Sequence, residues 1–410
     1  MTSFDENLCS LATCNLNQWA LDFNGNLERI IRSIREAKAR GAKYRLGPEL
    51  EISGYSCEDH FLEMDTYMHC EESLAAILHS DVTNGILCDI GMPILHNNVR
   101  YNCRVFCLDQ KIILIRPKVF MADDGNYRER RFFTSYKDTG ILEEHKLSKI
   151  LLDSYDSSNG DGRSLHVSVP FGVASIATAE TVIASEVCEE LWTADSPHIS
   201  LALAGVEIIC NGSGSHHELR KLNSRLSLIK SATGKCGGAY LYSNHRGCDG
   251  NRMYFDGCSL VCVNGEFVAQ ASQFSLQDVE VVVAIIDLTE IRSYRGASSS
   301  FQEQSSMSKK IPQINLRHFS LQTDRNATIQ NHYLDFTPNL PLEVRIHSPE
   351  EECALGPACW MWDYLRRSGA SGFLLPLSGG ADSSSGKNYG VFYLDVLYLS
   401  LRSFFYILLL

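Results

Sequence analysis

Residues 181–192 read TVIASEVCEELW, a strand-like run that gives way to a helical segment at Cys188. Two other stretches, GPELEISGY (47–55) and IRPKVF (115–120), also place a reactive residue at the end of a strand-like run. Around them, strand-like, helix-like and hairpin segments alternate as far as residue 295. This mixture predicts an α+β or α/β layered domain in which helices cover the sheets.

The segments outside these stretches also carry secondary-structure signals. The apolar run from Leu8 to Leu16 predicts a strand. Asn26 is predicted to cap a helix that keeps apolar residues at helical spacing until Gly41 stops it, and YRLGPEL (44–50) is predicted to be the second strand. Two hairpins are predicted, in YNCRVFCLDQKIILIRPK (101–118) with an Asp-Gln turn and in CVNGEFVAQ (262–270) with an Asn-Gly turn.

Length and composition narrow the class of protein. The 410 residues exceed one ordinary domain of about 100 to 200 residues, so one large domain and part of another are expected. A formal net charge of -12 without a basic tract argues against a nucleic-acid-binding surface. The N-terminal stretch MTSFDENLCSLATC is acidic, unlike a signal peptide, and the 15 scattered cysteines suit a reducing compartment. A cytoplasmic protein with free thiols is expected.

The cysteine spacing does not suggest a metal site. The closest pairs, Cys103 with Cys107 and Cys258 with Cys262, are four residues apart inside strand-like segments, which does not match a zinc knuckle. We therefore predict that these four cysteines are buried apolar residues and that the catalytic site holds no metal.

Glu49, Lys118 and Cys188 are residue types that suit the hydrolysis of an amide. A thiolate can split this difficult reaction through a thioester, and Cys188 could supply it. A free cysteine has a pKa of about 8.5 and needs a nearby cation or base, which Lys118 and Glu49 could provide. Taken singly, each has a plainer interpretation: a core cysteine, a helix cap or surface carboxylate, and a solvated lysine.

The residues around these three resemble a known family. PEL with SGY, RPK with GNYRERRFF, and SEVCEELW each resemble one of the three signature blocks of the nitrilase superfamily. Nearly all of residues 1–295 resembles the glutaminase domain of the eukaryotic glutamine-dependent NAD synthetase family, including LNQWALDF, CNGSGSHHELRK and GCDGNRMYFDGCS. The resemblance implies a four-layer α-β-β-α sandwich, homo-oligomers and an ammonia tunnel between two active sites.

The resemblance also implies a role for each residue. Cys188 would attack the carboxamide of L-glutamine, Glu49 would act as the general base, and Lys118 would stabilise the oxyanion. Glu129 resembles the extra carboxylate that orients the lysine, with a surface ion pair as its plainer interpretation. Five residues are candidates for holding glutamine: Tyr55, Tyr127, Glu189, Ser213 and Ser215. The two tyrosines could equally be wall residues, and a structural role is expected for His216 and His217, because no nucleophile elbow accompanies them.

A second domain is predicted after a linker. The Ser-rich stretch RGASSSFQEQSSMSKK (295–310) reads as a linker by composition, and we place the linker at 296–345. A capping box at Ser348 starts an amphipathic helix that ends near Gly369. Residues 346–385 resemble the start of an NAD synthetase domain, which is Rossmann-like and related to N-type ATP pyrophosphatases.

The loop SGGADS within that segment resembles a pyrophosphate-binding loop. Its residues Ser378, Gly379, Gly380, Asp382 and Ser383 would bind ATP, with Asp382 near the Mg²⁺-bound pyrophosphate. The resemblance implies the amidation of deamido-NAD (nicotinate adenine dinucleotide) to NAD, in which ATP forms an adenylate and glutamine-derived ammonia displaces AMP.

The last residues do not continue this resemblance. Residues 386–410 are expected to be an unrelated apolar tail, and only the glutaminase half is expected to work in this chain. A membrane anchor is the rival interpretation of the tail, and its Asp395 and Arg402 argue against it. The chain as a whole could instead be a stand-alone nitrilase-type amidase or an inactive truncated splice product.

Overall fold

A computed structural model describes residues 7–156, 168–322, 328–329, 332–333, 337–373, 380–381 and 383–385. The tail predicted at 386–410 lies outside the described residues, as do Ser378, Gly379 and Asp382 of the predicted ATP loop. In the part of the chain that is described, no helix combines the length and the apolar character that a membrane crossing requires.

The strands are numbered in chain order. They are β1 (Leu8–Leu16), β2 (Tyr44–Leu46), β3 (Leu87–His96), β4 (Val99–Leu108), β5 (Lys111–Pro117), β6 (Glu143–Lys146), β7 (Ser168–Phe171), β8 (Ser175–Ala177), β9 (Val182–Val187), β10 (Ile208–Ser213), β11 (Ala239–Cys248), β12 (Tyr254–Asp256), β13 (Leu260–Val263), β14 (Glu266–Gln270), β15 (Val279–Asp287) and β16 (Gln313–Asn315). Two short strands, Thr328–Ile329 and His332–Tyr333, pair with each other.

The helices complete the layers. They are α1 (Phe23–Ala39), α2 (Met64–His79), α3 (Glu129–Phe132), α4 (Lys149–Asp156), α5 (Pro197–Leu203), α6 (Lys221–Cys236), α7 (Leu288–Gly296), α8 (Ser299–Met307) and α9 (Pro349–Ser368). Three 3₁₀ turns span Glu58–Leu62, Asp81–Thr83 and Cys188–Leu191.

The main sheet runs in the order β16-β8-β9-β10-β11-β1-β2-β3-β4-β5-β7-β6, with β12, β13 and β15 pairing beside it. Neighbours from β9 to β3 are parallel, whereas β3, β4 and β5 form an antiparallel meander. The carboxyl ends of β2, β9 and β10 therefore lie along one side of the sheet.

Strand β1 shows how the sheet separates two apolar layers. Its side chains alternate between faces, so Cys9 and Leu11 join a cluster with β10, β11 and β15, whereas Ala12, Cys14 and Leu16 pack with α1 and α2. A third cluster lies between α6 and the other face of β11 and β13. Helix, sheet, sheet and helix layers result, which confirms the α-β-β-α fold predicted for this part of the chain.

Several local predictions are confirmed. Both hairpins form, and the Asn264 and Gly265 turn has positive φ at both residues, the conformation that Asn-Gly favours. The capping box of α9 forms between Ser348 and Glu351, and Gly369 ends the helix in the left-handed conformation. The four cysteines at 103, 107, 258 and 262 are buried.

Two local predictions are wrong. Asp22, not Asn26, caps α1 by accepting a hydrogen bond from the Gly25 N–H, and Asn26 is buried within the first turn. The second strand ends at Leu46, because the chain turns into the loop that holds Glu49.

The predicted linker is also folded over much of its length. Helix α8 buries Phe301 under the Arg295 guanidinium, and β16 pairs with β8. Leu316, Phe319 and Leu321 then join the apolar cluster between the sheets. The bounds of the linker stay a prediction, and the Ser-rich composition did not reveal these packed segments.

Candidate active site

Strand ends place the three predicted catalytic residues. Glu49 lies in the loop after β2, Lys118 directly follows β5, and Cys188 directly follows β9. All three are buried, with relative exposures of 0%, 0% and 3%. For a lysine and a glutamate, such burial requires a charged partner, so their mutual contacts decide how the site is held.

Lys118 is the centre of a buried charge cluster. Its Nζ lies 2.6 Å from Oε1 of Glu49, and 2.9 and 2.7 Å from the two carboxylate oxygens of Glu129. The Tyr55 hydroxyl donates to the same Glu129 carboxylate. Glu129 is 3% exposed, so the interpretation as a surface ion pair does not describe it. We call Glu49, Lys118 and Glu129 the charge cluster.

Glu49 has further partners that fix its carboxylate. Asn102 Nδ2 donates to Oε1 at 2.8 Å, and the Gly214 N–H donates to Oε2 at 3.1 Å. A carboxylate offers about four lone-pair sites, so Oε2 can still accept a proton. Arg104 holds the preceding backbone by donating to the Pro48 and Gly47 carbonyls at 2.7 and 2.8 Å.

Cys188 sits on a sharp strand-to-helix turn. Its φ of 42° lies in the left-handed region, which a residue with a side chain rarely adopts. Burial, followed by the charge of Glu49, raises the pKa of the Cys188 thiol well above its usual value, and Lys118 opposes only part of this shift. The resting thiol is therefore protonated at neutral pH and needs a base to become a nucleophile.

The same charges set the states of the lysine and of the second glutamate. Burial alone would lower the pKa of Lys118, but the negative charges of Glu129 and Glu49 outweigh it and raise that pKa above its usual value. Burial raises the pKa of Glu129 to about 7, although Lys118 works against it. These shifts favour a charged Lys118, whose positive charge also acts on the Cys188 thiol.

The five residues predicted to hold glutamine have different partners in the structure. Tyr127 donates to the Gly214 carbonyl at 3.1 Å and meets Tyr55 edge-on. Ser213 donates to Asn211 at 2.8 Å, and Ser215 accepts from Arg225 at 3.1 Å. Glu189 is half-buried, and burial raises its pKa.

The two histidines take no part in the charge cluster. His216 lies 2.8 Å from Glu218 and packs edge-on against Tyr127, and burial lowers its pKa to about 4. His217 lies 3.3 Å from Glu352 on α9. Both positions fit the structural role that the sequence predicts for them.

Sequence reasoning missed the residues that join two of the three segments. Glu190 accepts from Arg116 at 2.8 Å and from the N–H groups of Val119 and Val187 at 2.5 and 2.8 Å. One buried pair therefore ties the Cys188 turn to the Lys118 segment. The available signal was spacing, since Arg116 lies two residues before Lys118 and Glu190 two residues after Cys188.

The predicted ATP loop is described only in part. Gly380 is exposed, and its carbonyl accepts hydrogen bonds from the Ser383 hydroxyl and the Ser384 N–H, both at 3.1 Å. Within the described residues, no group of three or more His, Cys, Asp or Glu side chains could hold a metal ion.

Comparison with known families identifies the region that holds the charge cluster and Cys188. The sequence profile of the carbon-nitrogen hydrolase family matches residues 10–296. The glutamine-dependent NAD(+) synthetase of Saccharomyces cerevisiae is 55% identical over 382 residues, covering 92% of this chain and 51% of that protein. The Homo sapiens protein of the same name is 52% identical over 377 residues, with 92% and 51% covered. The chain thus spans about half the length of the curated relatives it matches.

Solved structures agree on the fold. A glutamine-dependent NAD(+) synthetase from Cytophaga hutchinsonii aligns with a TM-score of 0.68 at 21% identity, covering 94% of this chain and 52% of that one. An amidase from Nesterenkonia sp. aligns with a TM-score of 0.52 at 15% identity, covering 74% and 97%. These identities show the fold alone, and they confirm the predicted nitrilase-type sandwich.

Proposed function

The chain belongs to the carbon-nitrogen hydrolase family, and from this premise we propose that it hydrolyses the side-chain amide of glutamine with Cys188, Glu49 and Lys118. The observation that carries the proposal is the position of Lys118, whose ammonium bridges Glu49 and Glu129 in a buried site that also acts on the Cys188 thiol. The names of the relatives support glutamine as the substrate.

The first half of the reaction forms a thioester. Glu49 takes the proton of the Cys188 thiol, and the sulfur attacks the carboxamide carbon of glutamine. Lys118 holds the negative oxygen of the tetrahedral intermediate, a contact typically worth about 2.7 to 4 kcal/mol when one such donor is lost. Glu49 then passes the proton to the nitrogen, the carbon–nitrogen bond breaks, and ammonia leaves.

The second half releases glutamate. Glu49, again a carboxylate, removes a proton from a water molecule, whose oxygen attacks the thioester carbon. Lys118 holds the oxygen as before, and the carbon–sulfur bond breaks. The sulfur recovers the proton, which restores the resting thiol that the raised pKa of Cys188 favours.

The use of the ammonia is part of the same proposal. The names of the relatives and the resemblance of SGGADS to a pyrophosphate-binding loop support an ATP-dependent amidation of deamido-NAD to NAD. Mg²⁺ would accompany ATP, and Asp382, the residue proposed near it, lies outside the described residues. The resemblance further supports a homo-oligomer, and the acidic, thiol-rich composition supports a cytoplasmic location.

Ammonia release from a panel of amides tests the glutaminase proposal. We expect glutamine to be hydrolysed in preference to asparagine and propionamide, and Cys188→Ala to lower the rate by at least about 10⁴-fold. Cys107→Ala is the matched control, because it removes another buried thiol, outside the charge cluster. A preference for simple amides would favour the stand-alone amidase, and no release by the wild-type chain would refute the proposal.

A further inference from the structure

The unusual backbone of Cys188 raises the question of what holds it. The Cys188 N–H donates to Oδ1 of Asn211 at 2.9 Å, and the Ser213 hydroxyl donates to the same oxygen at 2.8 Å. Asn211 lies on β10, directly opposite Glu186 of β9 in the parallel register. The side chain therefore reaches the turn from the neighbouring strand, outside the segment that forms it.

The orientation of the Asn211 amide follows from its other neighbour. Its Nδ2 donates to the Tyr240 hydroxyl at 2.9 Å, and that hydroxyl donates to Oε1 of Glu186. An ionised carboxylate can only accept hydrogen bonds, so the Tyr240 hydroxyl donates its single hydrogen to Glu186. The hydroxyl can then only accept a hydrogen bond from Asn211. The amide nitrogen then faces Tyr240, and the amide oxygen faces Cys188.

Glu186 lies at the end of this chain of hydrogen bonds, and its surroundings favour the ionised carboxylate. Burial would raise the pKa of Glu186, but the charge and hydrogen bonds of His198, together with the Tyr240 hydrogen bond, outweigh it and lower that pKa below its usual value. The His198 N–H donates to Glu186 at 3.0 Å. Glu186, Asn211 and Tyr240 are all fully buried, so water does not compete for the hydrogen bonds among them.

We propose that Asn211, oriented by Tyr240 and Glu186, is a positioning residue that holds the Cys188 backbone in the left-handed conformation needed for nucleophilic attack. The inference rests on the proposed function of Cys188 and adds to it. Because Asn211 occupies the Cys188 N–H, that N–H is not available to the substrate oxygen.

Two substitutions separate the contribution of the Asn211 side chain from that of its orientation by Tyr240. Asn211→Ala removes the acceptor and is expected to lower kcat for ammonia release by about 100-fold, the scale of a misplaced reacting group. Tyr240→Phe leaves the amide in place without its orienting partner, and a smaller loss of about 10-fold is expected. KM for glutamine should stay within about 2-fold in Tyr240→Phe, because Tyr240 is not assigned to the substrate. In Asn211→Ala, a change in KM would report on Ser213, a candidate glutamine-binding residue that loses its hydrogen-bond acceptor.

Tyr136→Phe is the matched control, since it also removes a tyrosine hydroxyl that donates to a glutamate, here Glu143 at 3.0 Å. The second readout is the rate at which iodoacetamide alkylates Cys188, followed on its peptide by mass spectrometry. Slower alkylation in Asn211→Ala and Tyr240→Phe than in Tyr136→Phe, measured at a temperature at which all three variants are fully folded, is the expected result.

The proposal would be overturned if Asn211→Ala and Tyr240→Phe had the same alkylation rate and the same kcat as the wild type. Losses that track the melting temperature alone would also overturn it, because these indicate a structural effect. If the wild-type chain releases no ammonia, the proposed function fails, but alkylation of Cys188 still tests the hydrogen-bond arrangement independently.

Discussion

The charge cluster and the contact of helix α9 with the rest of the chain are both built from ion pairs, but they differ in burial. Lys118 and its two carboxylates are within 4% of complete burial. On α9, Arg366 pairs with Asp278, and their side chains are 27% and 34% exposed. A second pair joins Glu352 of α9 to Arg220 at 3.1 Å.

This difference decides what each set of charges does. In a buried cluster, water cannot screen an unbalanced charge, so the excess carboxylate next to Cys188 helps to raise the pKa of that thiol. At α9, solvent reaches both side chains of the Arg366–Asp278 pair and screens it, so this pair orients the helix with little energy. Glu352, by contrast, is 1% exposed. We therefore expect changes in the charge cluster to alter chemistry and stability together, and changes at the Arg366–Asp278 pair to leave the chemistry unaltered and to lower stability less.

The largest effect is expected for Lys118→Met. It leaves Glu49 and Glu129 buried without their cation, so the free energy of unfolding should fall by about 3 to 5 kcal/mol. Ammonia release should fall by about 10² to 10³-fold. Urea unfolding and a steady-state ammonia assay measure the two effects.

Lys230→Met provides the control, because Lys230 is 48% exposed and lies 3.7 Å from Glu266. It should change stability by less than about 1 kcal/mol. Equal effects of the two substitutions would remove the distinction between the buried and the exposed charges.

Glu129→Gln is expected to have the next largest effect. It weakens the hold on Lys118 and should lower kcat by about 10 to 100-fold. Since the pKa of Glu129 is raised to about 7, wild-type kcat should fall towards that of the variant as pH drops through this value.

The raised pKa of Glu129 should also make the free energy of unfolding of the wild type depend on pH. The folded state binds a proton at Glu129 that the unfolded state releases above its ordinary pKa, so this contribution declines as pH rises from about 4.5 to 7. Glu129→Gln should lose that slope. Identical pH profiles of kcat and stability for variant and wild type would contradict this assignment.

A smaller effect is expected for Arg366→Gln on α9. Ammonia release should stay within about 2-fold of the wild-type rate. The free energy of unfolding should fall by about 1 to 2 kcal/mol, because buried Asp363 also loses Arg366 but still accepts from Asn17 and from the Cys248 N–H. A loss of ammonia release similar to that of Lys118→Met would show that α9 and the charge cluster act as one unit.

The smallest effect concerns the pH dependence of that same contact. Burial would raise the pKa of Asp278, but Arg366, Arg246 and Arg367 outweigh it and lower that pKa to about 2. A carboxylate with a lowered folded pKa stabilises the fold above its unfolded pKa and loses this contribution as pH falls through the folded value. The melting-temperature difference between wild type and Arg366→Gln should therefore shrink between about pH 4 and pH 2.

Local signals in the sequence predicted the parts of the molecule that depend on neighbouring residues. The Asn264-Gly265 turn and the Ser348 capping box each involve residues within three positions of one another, so their chemistry is visible in the sequence. The prediction that Asn26 caps α1 was wrong because two local candidates compete. Asp22 offers an equally local cap, and tertiary packing decides between the two residues.

The supporting residues of the site could not be predicted in this way. Asn102 and Asn211 reach Glu49 and Cys188 from separate strands, and nothing near either asparagine in the sequence indicates which strand will lie beside it. Their roles follow from sheet order and register, which long-range packing sets. The folded linker was missed for a similar reason, because β16 joins β8 across more than one hundred residues.

Detection of the acyl-enzyme tests the central claim most directly. The full chain is mixed with isotope-labelled glutamine, quenched in acid within one turnover and digested for mass spectrometry. The account predicts a glutamyl group on the peptide that contains Cys188, and none on that peptide in Cys188→Ala. Ammonia release by the wild type with no glutamyl group on Cys188, or with the label on another of the 15 cysteines, would contradict it.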